Sequence, residues 1–364
     1  MKILMVAHAF PPYVGGLSYV IENLSVNLAK RGFDVEVVTL DVNGNLPRYE
    51  EYKGVIVKRF RGYAPDGCYF APSIECVRYL KSIGADVMHI HNVGSLLTLF
   101  TLNTIEKRNS KPKIVVTPHH HEGGSKWHTK LGWIIYKPII RRALKKADVV
   151  HAVSNYEASL IKRDFGVEPI VISNGVSEDV FNYRWNPPKD RVVITYAGRV
   201  EKYKRVDFIV KIAHKLSKVV KEKVVIRIIG RGSYLQGVLK LAKHYSVEVE
   251  APGFLPRNRY LEALANSTIF MNVSKQEAYS IVTAEALTIG IPSIIVKPWG
   301  LNFKGVNHAY IIDPNDMDSI MNVILKIIRL TRYHDLTWYT KSDCPTQSWS
   351  IIVNEMIKRV YTLD

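Results

Sequence analysis

Residues 1–32 read MKILMVAHAFPPYVGGLSYVIENLSVNLAKRG, and the order of side-chain types in them decides the fold class. An apolar run at residues 3–7 leads into a loop with Pro11, Pro12, Gly15 and Gly16. Apolar residues then recur at helical spacing over 18–31, and Gly32 ends the pattern. Strand, glycine loop and helix in that order make the first half of a βαβ unit. With one basic residue ahead of it, the same run could open a secretion signal. His8 interrupts it, the prolines stop it and no small-residue cleavage site follows at the right distance, so a buried first strand is expected.

Working outward, the alternation continues. Residues 35–40, 55–60, 86–91, 114–117 and 149–153 are strand candidates with helical segments between most of them. The second half repeats the scheme, with strands at 191–197, 224–229, 247–251, 268–273 and 293–296 and helices at 206–217, 234–244, 258–265 and 281–289. Between the halves lies NYRWNPPKD, residues 182–190, polar and without periodicity, with Pro187 and Pro188. The expected organisation is α/β: a Rossmann-like domain over 1–181, a linker over 182–190 and a second Rossmann-like domain over 191–345. A chain of 364 residues suits two domains at about 150 residues each.

Composition narrows the class. The apolar fraction is 47%, spread along the chain, so both halves can bury a core. Cys68, Cys76 and Cys344 form neither a disulfide framework nor a zinc pattern, which suits a reducing, cytoplasmic compartment. No stretch of 18 uncharged apolar residues is present, so no spanning helix is expected. The net charge of +17 attracts anions: nucleic acid, acidic lipid or phosphorylated substrates. No helix-turn-helix, zinc or RNA-recognition signature accompanies it, and nucleic acid is not an expected partner.

In open α/β sheets ligands bind beyond the carboxyl ends of the strands, so the loops there carry the chemistry. Gly15 and Gly16 precede a helix start, where they serve either a close approach to phosphate or an ordinary tight turn. Tyr196-Ala197-Gly198-Arg199 is followed by Lys204. Two cations at a strand end can grip a diphosphate; the plain alternative is a solvated basic loop that also holds Lys202 and Arg205. Glu277 and Glu285 are separated by seven residues. Glu277 falls in a loop, Ser280 is the expected N-cap, and Glu285 lies on the following helix, ended by Gly290 and Pro292. Such carboxylates suit vicinal hydroxyls; the alternative is a dipole-stabilising Glu285 and an exposed Glu277. His119, His120 and His121 follow a strand. A metal site would want acidic or sulfur partners and only Glu122 is near, so a hydrogen-bonding His119 is the preferred reading. His89 and His91 are weaker candidates, one of the pair expected to face the core through strand alternation.

Residues 125–147, SKWHTKLGWIIYKPIIRRALKKA, hold Lys126, Lys130, Lys137, Arg141, Arg142, Lys145 and Lys146 and no acidic residue. With Trp127, Leu131, Trp133, Ile134, Ile135 and Tyr136 they form a candidate anionic-membrane surface. Equally, Ile134, Ile135, Ile139 and Ile140 could pack on the sheet, with Pro138 interrupting the helix.

Taken in order, Gly15-Gly16, Thr117-Pro118-His119, Val153-Ser154, Ser173-Asn174-Gly175-Val176, Ala197-Gly198-Arg199 with Lys204, Ile229-Gly230-Arg231-Gly232 and Glu277 to Glu285 continuing to Pro292 resemble the retaining glycosyltransferases of the GT-B fold, family four. Ser348-Trp349-Ser350-Ile351-Ile352 resembles that family's last helix, which implies that residues 346–364 cross back to the N-terminal domain. The resemblance covers nearly the whole chain. It implies two Rossmann-like domains facing across a cleft and a nucleotide-diphosphate sugar, UDP- or GDP-linked, held by the C-terminal domain. Arg199 and Lys204 would take the diphosphate, Glu285 the ribose and Glu277 the donor sugar. Backbone groups at Tyr279, Ser280 and Ile281, with Gly15, Gly16, Gly198 and Gly230, would complete the donor site, and His119 would lie near sugar and acceptor. No cofactor or divalent metal is implied; the acceptor would be a glycan or a lipid-linked saccharide, met in the cytoplasm or on the inner face of the membrane. Three departures stand out: Arg205 where the family often has Gly, Ala278-Tyr279-Ser280 for Gly-Phe-Gly, and Ser177 for Asp. The rival readings are a sugar phosphorylase or nucleotide-sugar epimerase of the same fold and, from another class, a basic nucleic-acid-binding protein.

Overall fold

The computed structural model describes residues 1–67, 69–105, 111–121, 127–332 and 346–363. Cys68, Glu122, Ser125, Lys126 and Cys344 lie outside the described residues. The chain divides into two compact units, Met1–Gly175 with Ser348–Asp364, and Val176–Gln347.

The first unit runs β1 (Lys2–Val6), α1 (Gly16–Ala29), β2 (Asp34–Asp41), β3 (Tyr49–Tyr52), β4 (Val55–Tyr63), β5 (Ala71–Pro72), α2 (Ile74–Ser82), β6 (Val87–His91), α3 (Leu96–Ile105), β7 (Lys113–Thr117), α4 (Trp127–Leu144), β8 (Val149–Ala152), α5 (Asn155–Phe165) and β9 (Ile170–Val171). Its sheet has the order β3-β4-β2-β1-β6-β7-β8-β9, with β5 beside β4. All pairs are parallel except β3 and β5 on β4. Both faces of a parallel sheet are covered by helices, and β1 and β6 are accordingly buried along most of their length. The short strands β3, β5, β9 and later β15 escape a reading by periodicity. β5 and β9 hold two residues each, too few to establish an alternation, while β3 and β15, of four residues each, are edge strands that the pattern did not mark.

The second unit runs β10 (Arg191–Ala197), α6 (Val206–Leu216), β11 (Lys223–Ile229), α7 (Leu235–His244), β12 (Glu248–Gly253), α8 (Arg257–Ala265), β13 (Ile269–Asn272), α9 (Ile281–Ile289), β14 (Ser293–Val296), β15 (Ala309–Ile312) and α10 (Met317–Arg332). Its six strands are parallel in the order β12-β11-β10-β13-β14-β15. The order reverses between β10 and β13, and in the first unit between β1 and β6. Loops that leave neighbouring strands at a reversal turn opposite ways and open a crevice.

The segment expected as a linker belongs to the second unit. Trp185 is buried there, donating its backbone N–H to Ile289 O (3.0 Å) and its indole N–H to Ser267 O (2.7 Å). The division falls at Gly175 instead, where an added Cβ would stand 2.8 Å from the backbone of Trp349. Trp349 opens α11 (Trp349–Met356), which continues as a π-helical turn to Tyr361. Arg31 holds that helix by donating to Ser350 O (2.7 Å) and Asn354 Oδ1 (2.8 Å), and Tyr361 is buried against His89.

α4 packs on the sheet by Tyr136, Ile140, Ala143 and Leu144. Of the four isoleucines that could have packed there, only Ile140 does; Ile134, Ile135 and Ile139 are exposed. The expected interfacial role of two aromatics is also corrected. Tyr136 donates to Ser95 O (3.2 Å), and Trp133 stacks on His120, because the sheet side of this helix needed large side chains to fill it.

Candidate functional site

At the carboxyl edge of the second sheet, directly after Ala197, β10 gives way to Gly198. Its φ of 135° suits glycine, and its N–H donates to Ile229 O at 2.9 Å. An added Cβ on Gly230 would stand 2.1 Å from Gly198 O, so Gly230 lets the loops after β10 and β11 cross. Tyr196, buried, donates its hydroxyl to Arg199 O at 2.7 Å and anchors the loop. A short 3-10 turn, Lys202–Lys204, then aims Lys204 across to the loop after β13.

There Lys204 Nζ lies 2.5 Å from Glu277 Oε1, with the two side chains 13% and 15% exposed. The backbones of the two loops also meet, Lys275 N–H donating to Tyr203 O at 3.0 Å. Asn272, the last residue of β13, was not foreseen. Its Nδ2 lies 2.9 Å from Ser280 Oγ, 3.2 Å from Thr283 Oγ1 and 3.4 Å from Glu277 Oε1, so it orients the start of α9 and the carboxylate together. The one signal for it was an amide ending an otherwise apolar strand, IFMN.

Ser280 occupies the N-cap position of α9, but its side chain does not cap the helix. Its φ is 73°, which turns the hydroxyl to Thr283 Oγ1 (2.7 Å). Arg205 has φ 56° and sends its guanidinium to Pro314 O (3.0 Å) and over the Phe208 ring. Both residues stand where the resembled family often has glycine, and both adopt the left-handed backbone that glycine favours. Tyr279 is buried beside Phe303, and Ile281 opens the helix.

Glu285 is buried on α9. Arg257 Nη1 donates to its Oε1 and Tyr260 OH to its Oε2, each at 2.6 Å; Arg257 also grips Asp179 at 2.9 and 3.0 Å. Burial pushes the carboxyl upward, and Arg257 and Tyr260 pull it back only in part. Arg257 and Tyr260, and Asp179 behind Arg257, were missed, since they lie on other elements with no spacing that links them to Glu285. Arg199 is exposed and donates to Tyr203 OH at 3.2 Å, so it borders the Lys204–Glu277 pair without touching it.

In the first unit, Gly15 is extended (φ 167°), and a Cβ at Gly15 or Gly16 would meet nothing within 4 Å. The chain's own packing therefore asks for glycine at neither. His119 follows β7 at φ 48° and faces His91 Nδ1 across 3.2 Å. His89 and His91 are two residues apart on one strand, so they share a face; both are buried, with ring centroids 4.0 Å apart. One of the pair was expected to face the core; both do, for that reason. A chain of hydrogen bonds runs Tyr361 OH, His89, Thr117 Oγ1, His151 and Ile172 O, each 2.7 or 2.8 Å. Burial, the largest cause, lowers His119 to about 3 and His8 and His151 to about 4, so these rings are neutral at physiological pH. The buried carboxylate of Glu157 accepts from the backbone N–H groups of His120 (2.5 Å) and Val153 (2.7 Å) and so fixes the turn that carries His119. Among the described residues no group of three or more His, Cys, Asp or Glu side chains is placed to hold a metal ion.

Two Rossmann-like units, with polar side chains gathered at the strand reversal, define the GT-B class of sugar-transferring enzymes. The chain matches Glycosyltransferase Family 4 over residues 14–180 and Glycosyl transferases group 1 over 179–342, and it belongs to the GT-B fold glycosyltransferases. Enzymes of this family move a sugar from a nucleotide-diphosphate sugar to an acceptor, and this chain is one of them. It is 22% identical to an uncharacterized glycosyltransferase of Methanocaldococcus jannaschii over 90% of this chain and 89% of that protein. It is 26% identical to the GDP-mannose:cellobiosyl-diphosphopolyprenol alpha-mannosyltransferase of Komagataeibacter xylinus over 56% of this chain and 51% of that one. Sucrose-phosphate synthase from Thermosynechococcus elongatus shares the fold with a TM-score of 0.78 at 17% identity, covering 98% of this chain and 97% of that structure.

Proposed function

We propose that the protein is a retaining hexosyltransferase whose second unit holds a UDP- or GDP-sugar and whose acceptor is a glycan or a lipid-linked saccharide. The observation that carries this reading is the Lys204–Glu277 pair at the strand reversal. A cation and a carboxylate held side by side suit a ligand with a phosphate beside vicinal hydroxyls. Lys204 and Arg199 take the diphosphate and stabilise the charge that gathers on it as the bond to C1 breaks. Glu277 accepts from the sugar hydroxyls and Glu285 from the ribose. The N–H groups at Tyr279, Ser280 and Ile281, at the start of α9, add a phosphate contact.

In the first unit, the open space beside Gly15 and Gly16 and the neutral ring of His119 suit a sugar ligand. The acceptor oxygen attacks C1 on the face the phosphate leaves, C1–O bond cleavage releases the nucleoside diphosphate, and a phosphate oxygen takes the acceptor proton. The diphosphopolyprenol acceptor in the name of the Komagataeibacter relative supports a lipid-linked acceptor, which would place the work on the inner membrane face.

The test is a thermal-shift screen of UDP-, GDP- and ADP-sugars, since a ligand of the folded state raises apparent stability by mass action. A transfer assay with the selected donor follows, reading the product's anomeric configuration by NMR. Selective stabilisation and a product of unchanged anomeric configuration are expected. Inverted product would overturn the retaining mechanism. Product formed from inorganic phosphate would favour a phosphorylase, and donor turnover without acceptor an epimerase.

A further inference from the structure

α4 carries apolar side chains on two opposite sides. One side, Tyr136, Ile140, Ala143 and Leu144, is used by the sheet. The other presents Leu131, Ile134, Ile135 and Ile139 at 55, 69, 66 and 47% exposure. A surface helix of a folded domain ordinarily turns polar residues to that side. Positions 131, 134, 135 and 139, followed by 142 and 145, share this side at helical spacing. The stripe therefore runs from aliphatic in the first turns to basic at Arg142 and Lys145, all exposed, with Arg141 exposed beside it. Phe100, on the neighbouring α3, is 44% exposed. Not every cation foreseen in this stretch belongs to the stripe: Lys137 pairs with Asp164 at 2.8 Å, and Lys146 donates to Asn103 at 3.0 Å.

We propose that this outer side of α4 is a docking surface for an anionic lipid bilayer. The helix would lie in the interface, with Leu131, Ile134, Ile135 and Ile139 in the acyl boundary and Arg141, Arg142 and Lys145 among the headgroups. Charge complementarity selects this occupant. In a symmetric pair of copies the stripe would meet itself, and whichever way the helices ran its cations would face cations or aliphatic side chains and gain no anion. A nucleic acid would gain nothing from four aliphatic side chains. No helix among the described residues is long and apolar enough to cross a membrane, so the contact is with the surface. The proposal deepens the lipid-linked acceptor reading but stands on α4 alone, so donor binding and membrane binding can fail separately.

The experiment is vesicle flotation of the full chain with phosphatidylcholine alone and with added phosphatidylglycerol, at low and high salt. Wild type is compared with Arg141→Gln/Arg142→Gln/Lys145→Gln and with Ile134→Ser/Ile135→Ser. Circular dichroism checks the fold, and donor thermal shift reads the other unit independently. Wild type is expected to float with the anionic vesicles at low salt. The charge variant should lose at least about tenfold in bound fraction, and the isoleucine variant should lose the part of binding that survives high salt. Wild type left at the bottom with anionic vesicles, or binding untouched in both variants, would overturn the proposal. So would a concentration-dependent dimer in light scattering that the isoleucine variant abolishes, which would assign the stripe to a second copy.

Discussion

Lys204 Nζ and Glu277 Oε1 are 2.5 Å apart although 73 residues separate them in the chain. They meet because β10 and β13 are neighbours in the sheet, and each side chain leaves the carboxyl end of one of them. Lys204→Ala and Glu277→Ala should each cut turnover by two to three orders of magnitude, since losing a preorganised charge contact with the transition state costs about 3–4 kcal/mol. Steady-state kinetics with the matched donor checks this, and near-wild-type rates in both variants would remove the pair from the site. Because they touch, their effects should not add in the double variant.

Arg257 and Tyr260 hold the two oxygens of Glu285. Burial raises that carboxyl and Arg257 is the main force lowering it. Arg257→Met should therefore let Glu285 protonate at higher pH, so that nucleoside diphosphate affinity falls away earlier as pH drops. Calorimetric titration of UDP and GDP across pH reads the shift. A profile that keeps its midpoint, in a variant that still folds, would detach Glu285 from nucleotide binding.

The buried histidines make the first unit acid-sensitive. His8, His119 and His151 titrate at about 4, 3 and 4 when folded, against 6.5 when free. Below 6.5 the unfolded chain binds protons that the folded one refuses, so stability falls as pH falls, by up to about 1.4 kcal/mol per pH unit per group. Glu157, raised from 4.5 to about 7, works the other way between those values, since there the folded state binds the extra proton. Three groups outweigh one, and the urea midpoint should drop from about pH 7 to about pH 5. A flat midpoint would show that the ring nitrogens reach water.

Ser280 at φ 73° offers a clean comparison. Ser280→Ala loses the hydroxyl's bonds to Thr283 and Asn272 and keeps the left-handed backbone. Ser280→Gly loses the same bonds but relieves the backbone, so it should be the more stable of the two by about 1 kcal/mol. Equal denaturation midpoints would mean that this turn is not strained.

In the proposed site the positive charge near the leaving diphosphate comes from Lys204 and Arg199, so transfer should survive EDTA. Activity abolished by chelation and restored by magnesium or manganese would put the leaving-group stabilisation elsewhere.

By itself the sequence determined what depends on near neighbours in the chain. Alternating strand and helix patterns located both Rossmann-like halves, and strand ends placed Arg199, Lys204, Glu277 and His119 in loops, because periodicity stops where an element stops. Gly198 was legible as a loop residue for the same reason. Tertiary structure decided everything that needed strand order or packing. It set β10 beside β13 and so joined Lys204 to Glu277, added Asn272, and closed Arg257 and Tyr260 around Glu285, with Asp179 holding Arg257 from behind. It moved the division from residues 182–190 to Gly175, where the backbone of Trp349 comes too close for any side chain. It also settled which side of α4 the sheet uses, since a helix apolar on two sides gives no preference until a partner surface has buried one.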